Sequence, residues 1–210
     1  MANQSSPLPP ATFFQRTSAW AFDVSVALWP ASLIVWVGVG SQRRDLELRQ
    51  ADVVANSSQA ISYLGDLASL YIHQGVWTLA WVALIYGAGS VWSEAGLHQA
   101  TWGKRLMGIS VEAIPGRRED HWAVATRFLA GSLSWLTMNI GHAMSRWRSD
   151  KRALHDVVAG MRVVQEPMPV AARNRGVWVC WGVFVVTQVA LVSLRPVDPV
   201  LMDVFRQLPL

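Results

Sequence analysis

Three long apolar stretches constrain the fold of this chain more than any other feature of its sequence. They run from Thr17 to Val39, from Gly75 to Ser93 and from Gly176 to Leu194, and Asp23 is the only charged residue within them. A helix that crosses a bilayer needs about 20 mostly apolar residues. The sequence therefore predicts three transmembrane helices, and a composition of 52% hydrophobic and 15% charged residues favours a membrane protein over a soluble domain.

A fourth apolar stretch, Trp122 to Met144, contains Arg127, Asn139 and His142. It can cross the membrane, or it can enter and return as a re-entrant segment that breaks at Gly131-Ser132 or at Asn139-Ile140-Gly141. Non-helical backbone is tolerated at membrane depth only where protein or water shelters it.

The distribution of basic residues distinguishes the two paths, because lysine and arginine concentrate on the cytoplasmic side of a membrane protein. With a cytoplasmic N-terminus, a re-entrant segment places 13 of these residues inside and 5 outside, whereas a full span divides them 8 to 10. The five outside residues would be Arg43, Arg44, Arg49, Arg195 and Arg206. We therefore favour the re-entrant path.

Two polar stretches flank the fourth apolar stretch. After Gly103-Lys104-Arg105, the run Met107 to Ala113 has the composition of a short strand, and so does Met161 to Gln165. Before the second strand, Ser149 or Asp150 can cap a short helix over residues 151–158 that ends at a left-handed Gly160. If both strands face one compartment they can pair and form a small cytoplasmic cap.

On this short helix, residues four positions apart lie on one face. Lys151 would then lie beside His155, and Arg152 beside Asp156, so the sequence predicts local charge pairs.

The polar stretches also resemble a known family. The sequences QATWGKRLMGISV, from Gln99, and LHDVVAGMRVV, from Leu154, resemble the two signature stretches of the RDD family of membrane proteins, which is named for one arginine and two aspartates. Arg16 lies directly before the first apolar stretch and precedes Asp23 by seven residues, as the family's arginine precedes its first aspartate. The resemblance implies that Asp156 is the second aspartate.

The resemblance covers Thr12 to Glu166, with differences at three positions. Trp102 stands where the family often has proline, and Val157 and Met161 replace a basic residue and a threonine. The resemblance implies a transport-related role but names no substrate.

We expect an all-α integral membrane protein. It would be a small bundle of three to four transmembrane helices, with a re-entrant segment and a short cytoplasmic cap that resembles a β-hairpin. Residues 1–11 would be a flexible N-terminus and residues 12–166 an RDD-like domain. An additional transmembrane helix over 176–194 and a tail over 195–210 would follow.

Asp23 is the first candidate functional residue, since an ionisable group in a spanning helix costs about 2.5–3.5 kcal/mol on insertion scales. Arg16 lies about 10 Å away along the helix axis, at 1.5 Å per residue, so Arg127 is the better predicted partner. Two interpretations stay open. In the first, a polar network for transport is formed by Arg16, Asp23, Arg127 and Asp156. In the second, the same four residues form fixed ion pairs that hold the helices together.

Lys104, Arg105 and His155 are candidates for contact with an anion or a lipid headgroup at the inner face. Lys104 and Arg105 can also be ordinary cytoplasmic anchors. His155 and Asp156 can form a proton relay, since a histidine beside a carboxylate titrates near neutral pH. Alternatively, Asp156 pairs with Arg152 or Arg105 and fixes the short helix.

The sequence shows no pattern that predicts an enzyme, a cofactor or a metal site. No catalytic triad, phosphate loop or dinucleotide motif is present, the histidines show no i, i+4 pair on a spanning helix, and Cys180 is the only cysteine. The pI of about 9.8 is explained by topology, so nucleic acid is not an expected partner.

We expect a multi-pass protein of the bacterial inner membrane with a cytoplasmic N-terminus. The leading functional expectation is a role in the transport of an ion or small solute, coupled to protons or cations. The alternative is a non-enzymatic membrane scaffold whose ion pairs are structural. The expected partners are the lipid bilayer and either further copies of the chain or another membrane protein, because so few helices do not enclose an alternating-access site alone.

The charge distribution predicts that Arg117→Cys and Arg173→Cys, each in a Cys180→Ser background, react with an impermeant thiol reagent from the cytoplasmic face. Inverted and right-side-out vesicles provide the comparison. Labelling of the two positions from opposite faces would contradict the re-entrant path.

Overall fold

The computed structural model describes residues 8–55, 59–115, 121–136 and 139–193. Most of the predicted flexible N-terminus, the predicted C-terminal tail and Arg117 lie outside these residues. The helices are α1 (Phe13–Gly38), α2 (Gly40–Ala55), α3 (Ala60–Glu94), α4 (Trp102–Met107), α5 (His121–Leu136), α6 (Ile140–Trp147), α7 (Leu154–Ala159) and α8 (Val170–Ser193). The strands are β1 (Ile109–Ala113) and β2 (Met161–Gln165).

Three of these helices are long and apolar enough to cross a membrane: α1, most of α3, and α8. They contain the three predicted spans. Helix α3, however, begins at Ala60 rather than near Gly75, because the segment before the span is itself an amphipathic helix. Its Tyr63, Leu67 and Leu70 are buried at spacings of four and three residues.

The chain divides into two compact units at Val26–Ala27, Ala83–Leu84 and Val185–Val186. We call the unit with residues 27–83 and 186–193 the helical unit. In it, Leu46 of α2 belongs to one apolar cluster with Tyr63, Leu67 and Leu70 of α3, and Arg49 pairs with Asp66 at 2.6 Å. We call the other unit, which contains both signature stretches, the motif unit.

The core of the motif unit is a small antiparallel sheet. β1 pairs with β2, with Val111 opposite Val163, so the predicted strand pairing is confirmed. Both valines are buried and pack with Met107, Met161 and other apolar residues.

Both edges of this sheet are covered by further backbone. On the β2 side, the Ala11 amide donates to the Val163 carbonyl at 2.9 Å and the Gln165 amide donates to Pro9 at 2.8 Å. On the β1 side, the Val111 amide donates to the Gln99 carbonyl at 2.8 Å. The chain entering α1 is thereby fixed to the sheet, which positions Arg16 and Asp23.

The short helix α7 begins later than predicted. Its first residue is Leu154 and its N-cap is Ala153, so neither Ser149 nor Asp150 caps it. Lys151 precedes the helix and has a left-handed backbone with φ of 55°. The predicted i, i+4 pairs on α7 are therefore wrong, whereas the left-handed Gly160 at its end, with φ of 65°, is confirmed.

The fourth apolar stretch forms two helices, α5 and α6, rather than one. Asn139 at the start of α6 has a left-handed backbone with φ of 64°, at one of the two predicted break points. A Cβ at Gly141 would lie 2.2 Å from Ser134 Oγ and 3.1 Å from Leu154 Cβ, so a glycine is needed for α6 to pack against α5 and α7. The path of this pair through a bilayer stays a prediction.

We expect Val111→Pro to lower both the yield of folded protein and its melting temperature. Proline removes the amide that donates to the carbonyl of the partly buried Gln99, and leaving such an acceptor unpaired costs up to about 1–3 kcal/mol. Trp102→Pro is the matched control, because Trp102 is the exposed first residue of α4 and that position tolerates proline. Equal melting temperatures for the two variants would contradict this account of the sheet.

Candidate functional site

Asp156 lies at the centre of a buried ion-pair network in the motif unit. Its Oδ2 accepts from Arg16 Nη1 at 2.5 Å and its Oδ1 accepts from Arg127 Nε at 2.7 Å. It also accepts from the Ala153 amide at 3.1 Å, which satisfies a free N–H at the start of α7. Burial alone would raise the pKa of Asp156, but Arg127, His155 and Arg16 hold that pKa well below its usual value.

Arg127 extends the network from Asp156 to Glu94. Its Nη1 donates to Glu94 Oε2 at 2.5 Å, and the Lys104 ammonium binds the other Glu94 oxygen. Burial lowers the pKa of Lys104, although the Glu94 carboxylate opposes that shift. The chain of contacts from Arg16 to Lys104 contains three cations and two carboxylates, and it joins α1, α7, α5, α3 and α4.

Asp23 has a different environment from the other acidic residues. Its Oδ2 accepts from the Thr101 hydroxyl at 2.5 Å and its Oδ1 accepts from the Gly103 amide at 2.8 Å. Thr101 is the N-cap of α4, so Asp23 lies where the partial positive charge of a helix N-terminus favours an anion. Among the described residues no cation lies within ion-pair distance of Asp23.

The predicted pairing of Asp23 with Arg127 is therefore wrong, because Arg127 is occupied by Glu94 and Asp156. Close backbone packing explains what Asp23 binds instead. A Cβ on Gly103 would lie 2.1 Å from the Ala19 carbonyl oxygen, so a glycine lets the start of α4 contact α1 directly. The glycine before Lys104 thus brings its own amide to Asp23.

His155 lies beside the network and is almost fully buried. Its Nε2 is 3.2 Å from Asp156 Oδ1 and 3.4 Å from Arg127 Nη2, and its ring centroid is 4.8 Å from that of His142. Burial lowers the pKa of His142 to about 4, and burial also lowers the pKa of His155, although Asp156 opposes that second shift. The His155–Asp156 contact is present, and a proton relay through it stays a prediction.

Two of the three residues predicted to contact an anion or a lipid headgroup at the inner face have little exposed surface. The Lys104 side chain is only 11% exposed and binds Glu94, and His155 is buried. Arg105 is exposed, as that expectation requires. The alternative partners expected for Asp156 are also wrong, because Arg152 binds Asp150 at 2.8 Å and Arg105 Nε donates to the Ala100 carbonyl.

Sequence reasoning missed Glu94 and Thr101. Glu94 directly follows the predicted span over 75–93, and an acidic residue at that position is typical of the end of a span. The available signal was a single acidic residue at the end of a long apolar helix, ten positions before a lysine. Within the described parts of the chain, no group of three or more histidine, cysteine or acidic residues could hold a metal ion.

We expect Glu94→Gln to reduce the free energy of unfolding by about 3–5 kcal/mol, because it removes the carboxylate charge that both Lys104 and Arg127 bind. Glu112→Gln is the matched control, since it breaks a more exposed pair with Arg162 at 2.5 Å and should cost only about 0–1 kcal/mol. Denaturant unfolding in detergent measures both. Similar losses for the two variants would show that the network does not hold the unit together.

Comparison with known proteins identifies the family of this chain. The RDD family profile matches residues 10–160, nearly three quarters of the chain, and the match includes Arg16, Asp23, Arg127 and Asp156. No curated protein and no solved structure shows a significant match. The chain belongs to the RDD family, whose members are membrane proteins.

Proposed function

We propose that this protein transports an ion or small solute across the bacterial inner membrane, coupled to protons or cations, and that Asp23 is the coupling site. The observation that carries the proposal is the environment of Asp23. It is a carboxylate in a helix long enough to span a membrane, and its hydrogen-bond partners in the described part of the chain are a hydroxyl and a backbone amide. An ionisable residue within a membrane helix is a default candidate for ion or proton movement.

Neutral partners are important because a coupling group must change its charge during a cycle. If Asp156 or Glu94 took up a proton, buried arginine and lysine charges would lose their counter-charge, which is costly. Asp23 can bind a proton or a cation with only a rearrangement of hydrogen bonds from Thr101 and Gly103. Among the four residues expected to form a transport network, Asp23 is therefore the one suited to coupling.

Arg16, Arg127 and Asp156 have a supporting role in this proposal. Each is fixed by at least one ion pair of 2.7 Å or less, and together they hold α1, α5 and α7. In this proposal, the rigid frame keeps the Asp23 carboxylate in one position.

The pairing of β1 with β2 supports the proposed topology. The two strands lie before and after the α5–α6 segment, so they can meet only if that segment begins and ends on one side of the membrane. This agrees with the re-entrant path and with a cytoplasmic N-terminus, which place 13 of the basic residues on the inner side.

Oligomerisation is part of the proposal. In the most apolar part of each spanning helix, few residues are buried within the chain: 28% in α1, 17% in α3 and 17% in α8. Most of their apolar surface is therefore available to lipid and to further copies of the protein or another membrane protein. Such an assembly would supply the additional helices that a transport path requires.

One observation favours a second function, a non-enzymatic membrane scaffold. Glu94 and Asp156 each bind two cationic side chains, which is the arrangement expected of a structural lock. A scaffold would use this lock to hold a fixed surface for a partner and would move no ion.

We expect proteoliposomes containing only the purified protein to show cation or proton flux, and Asp23→Asn to abolish that flux or its pH dependence. Asp23→Asn retains an acceptor for one of its two hydrogen bonds, so its melting temperature should stay within a few degrees of the parent. Asp23→Glu should keep part of the flux, and Glu112→Gln, which removes a carboxylate outside the site, should keep all of it.

These measurements separate the two functions. Absence of flux from the parent protein under sodium, potassium and proton gradients would favour the scaffold. A large drop in melting temperature for Asp23→Asn would assign Asp23 a structural role. Combining Asp23→Arg with Arg127→Asp should not restore stability, because the two residues are not partners.

A further inference from the structure

Helix α6 has an apolar outer face that no described part of the chain covers. Its Gly141 and Ser145 are buried, whereas Ile140 and Trp147 are 65% and 70% exposed. The last two residues are seven positions apart, so they lie on one side of the helix. Leu154, at the start of α7, lies beside α6, since a Cβ on Gly141 would be 3.1 Å from Leu154 Cβ, and it is partly exposed.

The turn that follows α6 is strongly basic. Residues 146–152 contain four cationic side chains and one carboxylate, a net charge of +3. Asp150 is occupied by Arg148 and Arg152, each at 2.8 Å. Arg146 and Lys151 have no carboxylate partner among the described residues, so their charge is available to a ligand.

This turn is held in place by the buried network. The Lys151 carbonyl accepts from Arg16 Nη2 at 2.8 Å, and Lys151 Nζ donates to the Arg146 carbonyl at 3.2 Å. The contact with Arg16 fixes Lys151 in the left-handed conformation, which an L-residue adopts at a cost of about 1–2 kcal/mol. The basic turn therefore has a fixed position next to the apolar face of α6.

We infer that this surface binds anionic phospholipid in the membrane leaflet next to it. We call it the α6 surface and define it by Ile140, Arg146, Trp147, Lys151 and Leu154. Ile140, Trp147 and Leu154 enter the boundary between headgroups and acyl chains. Arg146 and Lys151 bind lipid phosphates.

Three features select a lipid surface over an acidic protein as the occupant. Tryptophan is enriched at the membrane interface, and a short helix with one apolar side and adjacent basic residues is typical of segments that lie in the interface plane. The chain also has three helices that are long and apolar enough to cross a membrane, so a bilayer is available as the occupant. Each basic residue near an anionic leaflet contributes about 1 kcal/mol.

This inference is independent of the transport proposal, and it differs from the inner-face contact expected for Lys104 and His155. The Lys104 side chain is only 11% exposed and His155 is buried, whereas Arg146 is exposed and Lys151 is partly exposed.

Lipid binding to the purified full-length protein tests the inference. Native mass spectrometry of detergent-solubilised protein titrated with phosphatidylglycerol or phosphatidylcholine gives the apparent affinity for each lipid. We expect the parent to prefer phosphatidylglycerol, and Arg146→Gln with Lys151→Gln to weaken phosphatidylglycerol binding by about tenfold or more. Arg43→Gln with Arg44→Gln removes the same charge from the helical unit and should leave that affinity within about twofold.

A depth measurement tests the apolar part of the surface. A nitroxide at Trp147→Cys, in a Cys180→Ser background and in phosphatidylglycerol nanodiscs, should be more accessible to oxygen than to a water-soluble nickel chelate. A nitroxide at Ser149→Cys, in the basic turn, should be shallower. Equal phosphatidylglycerol affinity for the two double variants would overturn the inference. A nitroxide at position 147 that is exposed to water would also overturn it, and would indicate that the α6 surface binds a soluble partner instead.

Discussion

The position of Arg127 between two buried carboxylates is the interaction on which the rest of the motif unit depends. A guanidinium has five N–H donors in a fixed plane, and here Nε binds Asp156 while Nη1 binds Glu94. A lysine ammonium is a single point charge and could not bridge the two groups with the same geometry. Buried charges are costly unless paired, so α3, α5 and α7 must meet in the one arrangement that satisfies this arginine. Arg16 and Lys104 then fix α1 and α4 to the same network.

The residues of the first signature stretch serve backbone packing more than chemistry. Thr101 caps α4, Gly103 allows contact with α1, and Gly108 turns the chain into β1 with φ of 61°. The second stretch has a similar division of roles, because Gly160 ends α7 and leads into β2. Pairing of the two strands joins segments about fifty residues apart in sequence. It is this long-range contact that brings both aspartates of the family pattern into one compact unit.

The features that could be predicted are those encoded locally. Hydropathy predicted three spans, β-branched runs predicted both strands, and Gly160 and Asn139 marked backbone turns. The partners of the charged residues could not be predicted in this way. Asp23 was assigned to Arg127 because a cation is the expected partner of a buried carboxylate, yet the amide of Gly103 is available only after α4 packs on α1. The start of α7 was misplaced because two arginines compete for Asp150, which leaves Asp156 to cap the helix.

The two aspartates of the family pattern differ in what a change of charge would do. Asp156 pairs with Arg16 and Arg127 at once, so protonation there would remove the carboxylate charge beside Arg16 and leave Arg127 with Glu94 alone. Asp23 lies on the same helix as Arg16, two turns away, but its negative charge is stabilised by a hydroxyl, an amide and the N-terminus of α4. Neutral donors of this kind lose only hydrogen bonds when a proton or cation arrives. The arginine and the second aspartate therefore build the frame, and the first aspartate is the group that can change its charge without dismantling that frame.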